Sequence, residues 1–181
     1  AVTDTAPAER VMALKQAGAE ILCCGAGARV DLQRLMQQLG EREICSLLVE
    51  GGGKAAFIAY GNAVGKANAA RKILLEKTDG KFDPSLVDLV FVKPLDGELL
   101  QELARRHKIW YVFSDTAKKG GVGEILAAFL QERRIFDVRI VSFEFDDAFI
   151  PHGATADVEK ALGIDAASIC EKILAETADQ I

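Results

Sequence analysis

The feature that most constrains this chain is a pair of short apolar runs in residues 46–61, SLLVE and AAFIAY, joined by GGGK. Short apolar runs bounded by glycines are typical of interior strands of a parallel sheet, because helices cover both faces of such a sheet. The stretch therefore predicts an α/β protein whose core is built around buried strands.

The rest of the chain alternates strand patterns with helix patterns. Residues 1–53 predict a β-α-β-α-β fragment with strands at 20–24 and 46–50. Residues 54–181 predict strands at 55–60, 88–92, 109–113 and 137–143, with helices between them and two closing helices. The predicted fold class is a three-layer α/β/α arrangement with a mostly parallel sheet. We predict two domains, residues 1–53 and 54–181, whose strands can merge into one sheet.

Composition excludes two classes of partner. The net charge of −5 argues against nucleic acid, whose backbone needs a surface rich in Lys and Arg. No apolar run approaches the roughly 18 residues that span a bilayer, and the start lacks a signal-peptide pattern. We therefore predict a cytoplasmic protein that binds neither nucleic acid nor membrane. Its cysteines are expected to be buried free thiols: Cys23, Cys24, Cys45 and Cys170.

The glycine run after the SLLVE strand is one candidate binding site. Glycines at the carboxyl end of a parallel strand let backbone N–H groups approach an anion, and a lysine there neutralises it. The candidate residues are Glu50, Gly51, Gly52 and Lys54. A flexible turn between two strands is the alternative.

A second glycine-rich segment precedes a predicted helix at residue 124. Its candidate residues, Gly120, Gly121 and Gly123, would surround an anion at the helix N-terminus. The alternative is close packing of the helix on the sheet, which glycines also permit.

One histidine lies near two acidic residues. His152 follows Asp146 and Asp147 closely in sequence, and this spacing suggests a base with a carboxylate partner. No serine or cysteine nucleophile is placed beside it by the sequence. A histidine that stabilises a loop is the alternative that we favour. The acidic residues around it could also hold a hard cation, although no EF-hand spacing is present.

Residues 1–52 contain the segments RVMALKQAGAEIL and VDLQRLMQQLGEREICSLLVEGG. This stretch resembles the reductase domain of bacterial bifunctional riboflavin-biosynthesis deaminase-reductases. The resemblance implies a dihydrofolate-reductase-like fold that uses NADPH to reduce a ribosylamino-pyrimidine phosphate, with Glu50, Gly51 and Gly52 in the cleft. The deaminase domain and the first half of the reductase have no counterpart here.

Residues 54–175 contain GKAAFIAYGNAV, LVDLVFVKPLD, GGVGE and DDAFIPHGATADVEKALGID, in this order. This stretch resembles the C-terminal domain of 1-deoxy-D-xylulose-5-phosphate synthases, which are transketolase-like enzymes that use thiamine diphosphate. The resemblance implies that the preceding domains hold the cofactor, while the C-terminal domain is mainly structural and helps subunits associate. It also implies an antiparallel edge strand upstream of AAFIAY.

Three arrangements are open for SLLVE at the joint between the two resemblances. SLLVE can cover the vacant sheet edge, because an open edge exposes unpaired N–H and C=O groups. It can instead form a tight hairpin with AAFIAY through GGGK. A third possibility is exchange of the segment between two chains.

From the two resemblances we predict a chimera, engineered or selected, that forms a folded scaffold without catalysis of its own. This hypothesis expects no cofactor and a homo-oligomer, such as a dimer formed by segment exchange. One alternative is a fragment that still binds NADPH or phosphate. The other is a non-catalytic part that completes a thiamine-diphosphate-dependent synthase.

Overall fold

The computed structural model describes residues 1–27, 30–42, 44, 47–49 and 55–177, and it divides the chain into two compact units. The first unit, Ala1–Ile44, contains helices α1 (Ala8–Gln16) and α2 (Leu32–Glu41). Asp31 caps the N-terminus of α2, because its side chain accepts a hydrogen bond from the N–H of Arg34 at 3.1 Å.

The second unit, Cys45–Ile181, is built on a five-stranded sheet in the order β1-β3-β2-β4-β5. Its strands are β1 (Leu47–Val49), β2 (Ala55–Ala59), β3 (Ser85–Asp88), β4 (Ile109–Ala117) and β5 (Arg139–Phe145). Strands β3, β2, β4 and β5 are parallel, and β1 runs antiparallel to β3. The predicted mostly parallel sheet is confirmed.

Helices cover both faces of this sheet. They are α3 (Ala63–Lys77), α4 (Gly97–Arg106), α5 (Val122–Glu132), α6 (Thr155–Leu162) and α7 (Ala166–Thr177). One buried cluster joins α3 and α7 to side chains such as Phe57 and Tyr111, and another joins α4 and α5 to side chains such as Ile58 and Trp110. Every residue of β2 is buried, because the central strand is covered on both faces. The three-layer α/β/α prediction is therefore confirmed.

The SLLVE segment occupies the edge of the sheet. Strand β1 pairs with β3, with Leu48 opposite Val87. The hypothesis that this segment covers the vacant edge is confirmed, whereas the hairpin with AAFIAY is wrong because β1 does not neighbour β2. Antiparallel pairing gives the outer N–H and C=O groups of β3 their partners. Exchange of the segment between chains stays a prediction.

Two predicted strands differ from the structure. The segment 20–24 forms only an isolated bridge between Val2 and Cys23, because β1, the last strand of the expected β-α-β-α-β fragment, pairs in the sheet of the second unit. The strand expected at 88–92 lies instead at Ser85–Asp88, where its residues align with β2. The apolar residues after Asp88 suggested a later strand than the pairing allows.

The cysteine prediction is correct only in part. Cys24 and Cys170 are buried free thiols, but Cys23 is exposed, and Cys45 lies outside the described residues. None of the helices in the described ranges combines the length and apolar character needed to cross a membrane.

Candidate functional site

The carboxyl edge of the parallel strands is where open α/β sheets bind ligands, at the point where the strand order changes direction. Here the chain passes from β2 to β3 on one side and then to β4 on the other, so the change lies between β2 and β4. Gly61, with φ of +61°, leads from β2 into α3 at this edge. Functional side chains are therefore expected where β2, β4 and β5 end.

A buried carboxylate dominates this edge. Glu144 is 2% exposed near the end of β5, and its Oε1 accepts hydrogen bonds from Ser114 Oγ at 2.7 Å and Thr116 Oγ1 at 2.8 Å. Ser142 Oγ donates to the other oxygen, Oε2. A buried charge requires such donors, because transfer from water removes its solvation.

The same carboxylate caps helix α5. The N–H of Val122 donates to Glu144 Oε1 at 2.9 Å, and the N–H of Gly123 lies 3.3 Å from both oxygens. These N–H groups carry the positive end of the helix dipole. Two N–H groups of the predicted anion site therefore already donate to a carboxylate of the chain itself.

The glycines of this segment allow the close approach. A Cβ atom on Gly121 would lie 2.1 Å from the carbonyl oxygen of Ala117, and one on Gly123 would lie 2.8 Å from Glu144 Oε2. The alternative interpretation, close packing of the helix on the sheet, accounts for both. Gly120 has φ of +72°, and its N–H donates to Glu124 Oε2 at 2.7 Å. Binding of an external ligand at these glycines stays a prediction.

The other predicted glycine site falls in a part of the chain that the structure does not describe. Glu50, Gly51, Gly52 and Lys54 all lie outside the described residues.

Lys66 joins three elements at the same edge. Its Nζ lies 2.7 Å from Glu159 Oε1 on α6 and 3.8 Å from Asp115 Oδ1 on β4. The lysine side chain is only 12% exposed, so this network fixes α6 against the sheet. Sequence reasoning missed this network, because the three residues are far apart along the chain.

The structure does not bring His152 to a carboxylate partner among the described residues. Asp146 pairs with Lys118 at 2.5 Å, and this hydrogen bond lowers the pKa of Asp146. Asp147 pairs with Lys119 at 3.3 Å. His152 lines a groove of about 300 Å³ in which Ile150 and Val158 supply apolar surface. The favoured alternative, a loop histidine, fits this environment.

A thiamine diphosphate with its metal ion would require acidic ligands and free backbone N–H donors. Within the described ranges, no group of three or more His, Cys, Asp or Glu side chains is placed to hold a metal ion. The N–H groups of Val122 and Gly123 already donate to Glu144. These residues therefore do not fit that cofactor, and we derive no chemistry through it.

Sequence comparison finds curated relatives of this chain. The 1-deoxy-D-xylulose-5-phosphate synthase of Campylobacter hominis is 55% identical over 121 residues, which are 67% of this chain and 19% of that enzyme. The synthase of Campylobacter fetus is 54% identical over 123 residues, which are 68% of this chain and 20% of that enzyme. The chain thus spans about a fifth of the length of these curated relatives.

Solved structures share the fold. A split gene transketolase, described as an inactive beta4 tetramer, superposes with a TM-score of 0.61 at 24% identity, covering 70% of this chain and 40% of that one. A Pichia stipitis transketolase mutant in complex with fructose-6-phosphate gives a TM-score of 0.51 at 11% identity, covering 77% of this chain and 19% of that one. At these identities the likeness concerns the fold alone.

These matches correct the functional prediction. The prediction of an engineered or selected chimeric scaffold is wrong, because the relatives are 1-deoxy-D-xylulose-5-phosphate synthases and share 43–55% identity with this chain. The family described as "Transketolase, C-terminal domain" matches residues 45–169, and this range includes the β1 segment assigned above to the reductase-like part. The chain therefore belongs to the transketolase C-terminal domain family.

Proposed function

We propose that this chain supplies the C-terminal domain of a 1-deoxy-D-xylulose-5-phosphate synthase. The identity of 55% with the Campylobacter hominis enzyme is the observation that carries this proposal. The domain contributes architecture to the enzyme, since its polar groups at the carboxyl edge pair with one another. The thiamine diphosphate belongs to the part of the enzyme outside this family match.

The carboxyl edge also presents the surface that would contact the rest of the enzyme. Phe149 is fully exposed beyond the end of β5, and Ile150 beside it is 47% exposed. Phe91, which is 51% exposed, follows β3 at the same edge. Exposed apolar side chains mark contact surfaces when they form a patch, and Phe149 and Ile150 are neighbours in sequence here.

A domain graft tests the proposal. Residues 45–181 would replace the matching C-terminal domain of the Campylobacter hominis enzyme, and synthase turnover would be measured. We expect the graft to retain synthase turnover, because the chain is 55% identical to that enzyme over 121 residues. A folded graft without turnover would overturn the proposal.

Two phenylalanine variants of the graft locate the contact surface. Phe149→Ser should lower turnover, because it removes an apolar contact from the carboxyl edge. Phe136→Ser is the matched control: Phe136 is 71% exposed but lies before β5, at the amino edge. Equal effects of the two substitutions would contradict a contact at the carboxyl edge.

Self-association is part of the same proposal. A structural domain of an oligomeric enzyme retains surfaces for other copies, and the split gene transketolase with this fold is described as a tetramer. We therefore expect homo-oligomers of this chain. Segment exchange is one route to them.

The resemblance of residues 1–52 to riboflavin-pathway reductases stays a prediction, as do the two-domain division at residue 53 and the absence of a bound cofactor. Titration of the full chain with NADPH, followed by nucleotide fluorescence, tests the first of these. Saturable micromolar binding that Lys54→Ala weakens would support a nucleotide site at the glycine run.

A further inference from the structure

Strand β5 ends the sheet and has a partner on one side only. Within the described ranges the sheet order ends at β5, which pairs with β4. The N–H of Arg139 donates to the carbonyl of Lys108 at 2.8 Å, and the carbonyl of Phe145 accepts from the N–H of Lys118 at 2.8 Å. The first and last residues of β5 therefore direct their backbone groups toward β4.

Alternate residues of a strand direct their N–H and C=O groups to opposite sides. Because Arg139 and Phe145 face β4, the even-numbered residues between them face away from the sheet. These residues are Ile140, Ser142 and Glu144. They form a row of hydrogen-bonding groups that a further strand would satisfy, and such edges bind other strands readily.

A groove runs beside this edge. Its volume is about 270 Å³, and its apolar lining includes Val141, Phe143 and Leu162. Leu162 is 40% exposed at the end of α6. The groove thus offers apolar contact next to the open backbone groups.

Helix α7 directs a charged side chain toward each end of the groove, and each end also holds a charge of the other sign: Asp146 near Lys172, and Arg139 beside Glu176. Lys172 lies near the end of β5, where its charge contributes to lowering the pKa of Asp146. Glu176 lies near the beginning of β5, where it pairs with Arg139 at 2.8 Å. Helix α7 therefore runs antiparallel to β5 and carries a cation at one end of the groove and an anion at the other.

We propose that the β5 edge binds the β5 edge of a second copy of this chain, antiparallel and around a two-fold axis. In such an interface the same patch meets itself, so each contact occurs twice. Lys172 then faces Glu176 of the partner subunit, and Glu176 faces Lys172 of the partner subunit. An unrelated strand could satisfy the backbone groups but not this reciprocal pairing of charges.

This surface rests on the self-association proposed above. Charge-reversal variants of the full chain test it by sedimentation velocity over a range of concentrations. Lys172→Glu and Glu176→Lys each place like charges opposite one another, while the double variant restores opposite charges. Glu171→Lys, at an exposed position of α7 outside the groove, is the matched control.

We expect dimers for the wild type, the control and the double variant, and at least a tenfold weaker dimer for each single variant. Local effects cannot produce this pattern, because the double variant loses both the Lys172 hydrogen bond to Gly163 and the Glu176 pair with Arg139. A monomeric wild type, or a double variant as weak as the single ones, would overturn the proposal. A dimer that the single variants leave intact would place self-association on another surface.

Hydrogen exchange gives a second measurement. The amides of Ile140, Ser142 and Glu144 should exchange more slowly as the protein concentration rises, because they become bonded across the interface. Exchange that is independent of concentration would contradict pairing at this edge.

Discussion

At the scale of single residues, Glu144 gathers the polar groups of the carboxyl edge around one buried carboxylate. Three hydroxyl groups and two backbone N–H groups donate to it. Glu144→Ala leaves these donors buried without an acceptor, and we expect the free energy of unfolding to fall by about 3 kcal/mol. Urea denaturation measures the change. Glu171→Ala, on an exposed face, should stay within about 0.5 kcal/mol, and equal losses would show that Glu144 has no special role.

Tyr111 is a residue whose polar group works against stability. It is fully buried, and its hydroxyl has no hydrogen-bond partner in the described part of the chain. Tyr111→Phe removes this unsatisfied group and keeps the ring that stacks near Phe143, so we expect a gain of about 1 kcal/mol at pH 7. Thermal unfolding of both proteins would show a higher Tm for the variant, and a lower Tm would indicate a partner for the hydroxyl.

The buried hydroxyl of Tyr111 should also make the protein less stable at alkaline pH. Burial, with a smaller contribution from the charge of Glu176, raises the pKa of Tyr111 to about 12. The unfolded chain releases this proton near pH 10, while the folded protein keeps it. The free energy of unfolding is therefore unaffected by this group below pH 10 and falls as the pH rises from 10 to 12. Across this range wild type should lose about 2 kcal/mol relative to Tyr111→Phe. Other titrating groups are common to both proteins, so parallel pH profiles would refute the assignment.

At the scale of secondary structure, two helical glycines should respond to alanine in opposite directions. Gly65 lies in α3, and apart from its chain neighbours and the backbone of its own helix no atom comes within 4 Å of the position that an alanine Cβ would take there. Gly65→Ala should therefore stabilise the protein by about 0.5–1 kcal/mol. Gly123 lies in the first turn of α5 and contacts Glu144. Gly123→Ala should lower the free energy of unfolding by about 1–3 kcal/mol, because the added Cβ displaces the carboxylate. Urea denaturation of both variants and the wild type measures the two changes in unfolding free energy. Changes of the same sign would contradict the prediction.

The elements that the sequence predicted best are those with a local signal. Asp96 precedes the helical pattern of α4 in sequence and caps that helix, with its side chain accepting from the N–H of Leu99 at 3.0 Å. The place of β3 depended on pairing with β2, which no local pattern encodes. The Glu144 cluster left a partial signal, since a carboxylate in the apolar run RIVSFEF needs donors. The identity of those donors, Ser114 and Thr116, depends on the neighbouring strand.

At the scale of the whole molecule, the two compact units differ in how much apolar surface each buries. Apart from Cys24, every buried hydrophobic residue in the described ranges belongs to Cys45–Ile181. Helix α1 of the first unit buries none of its residues. The second unit thus contains both hydrophobic clusters, which supply the main driving force for folding.

Separate expression of the two units tests this division. We expect residues 45–181 to unfold cooperatively and to keep slow amide exchange in β2 and β4, because burial in both clusters does not involve the first unit. Residues 1–44 should show little helical circular dichroism, since so short a chain, in which Cys24 is the one buried apolar residue among those described, cannot offset its conformational entropy. A folded first unit and an unfolded second one would reverse this order. Loss of cooperativity in residues 45–181 would instead mean that the sheet needs the first 44 residues to close its core.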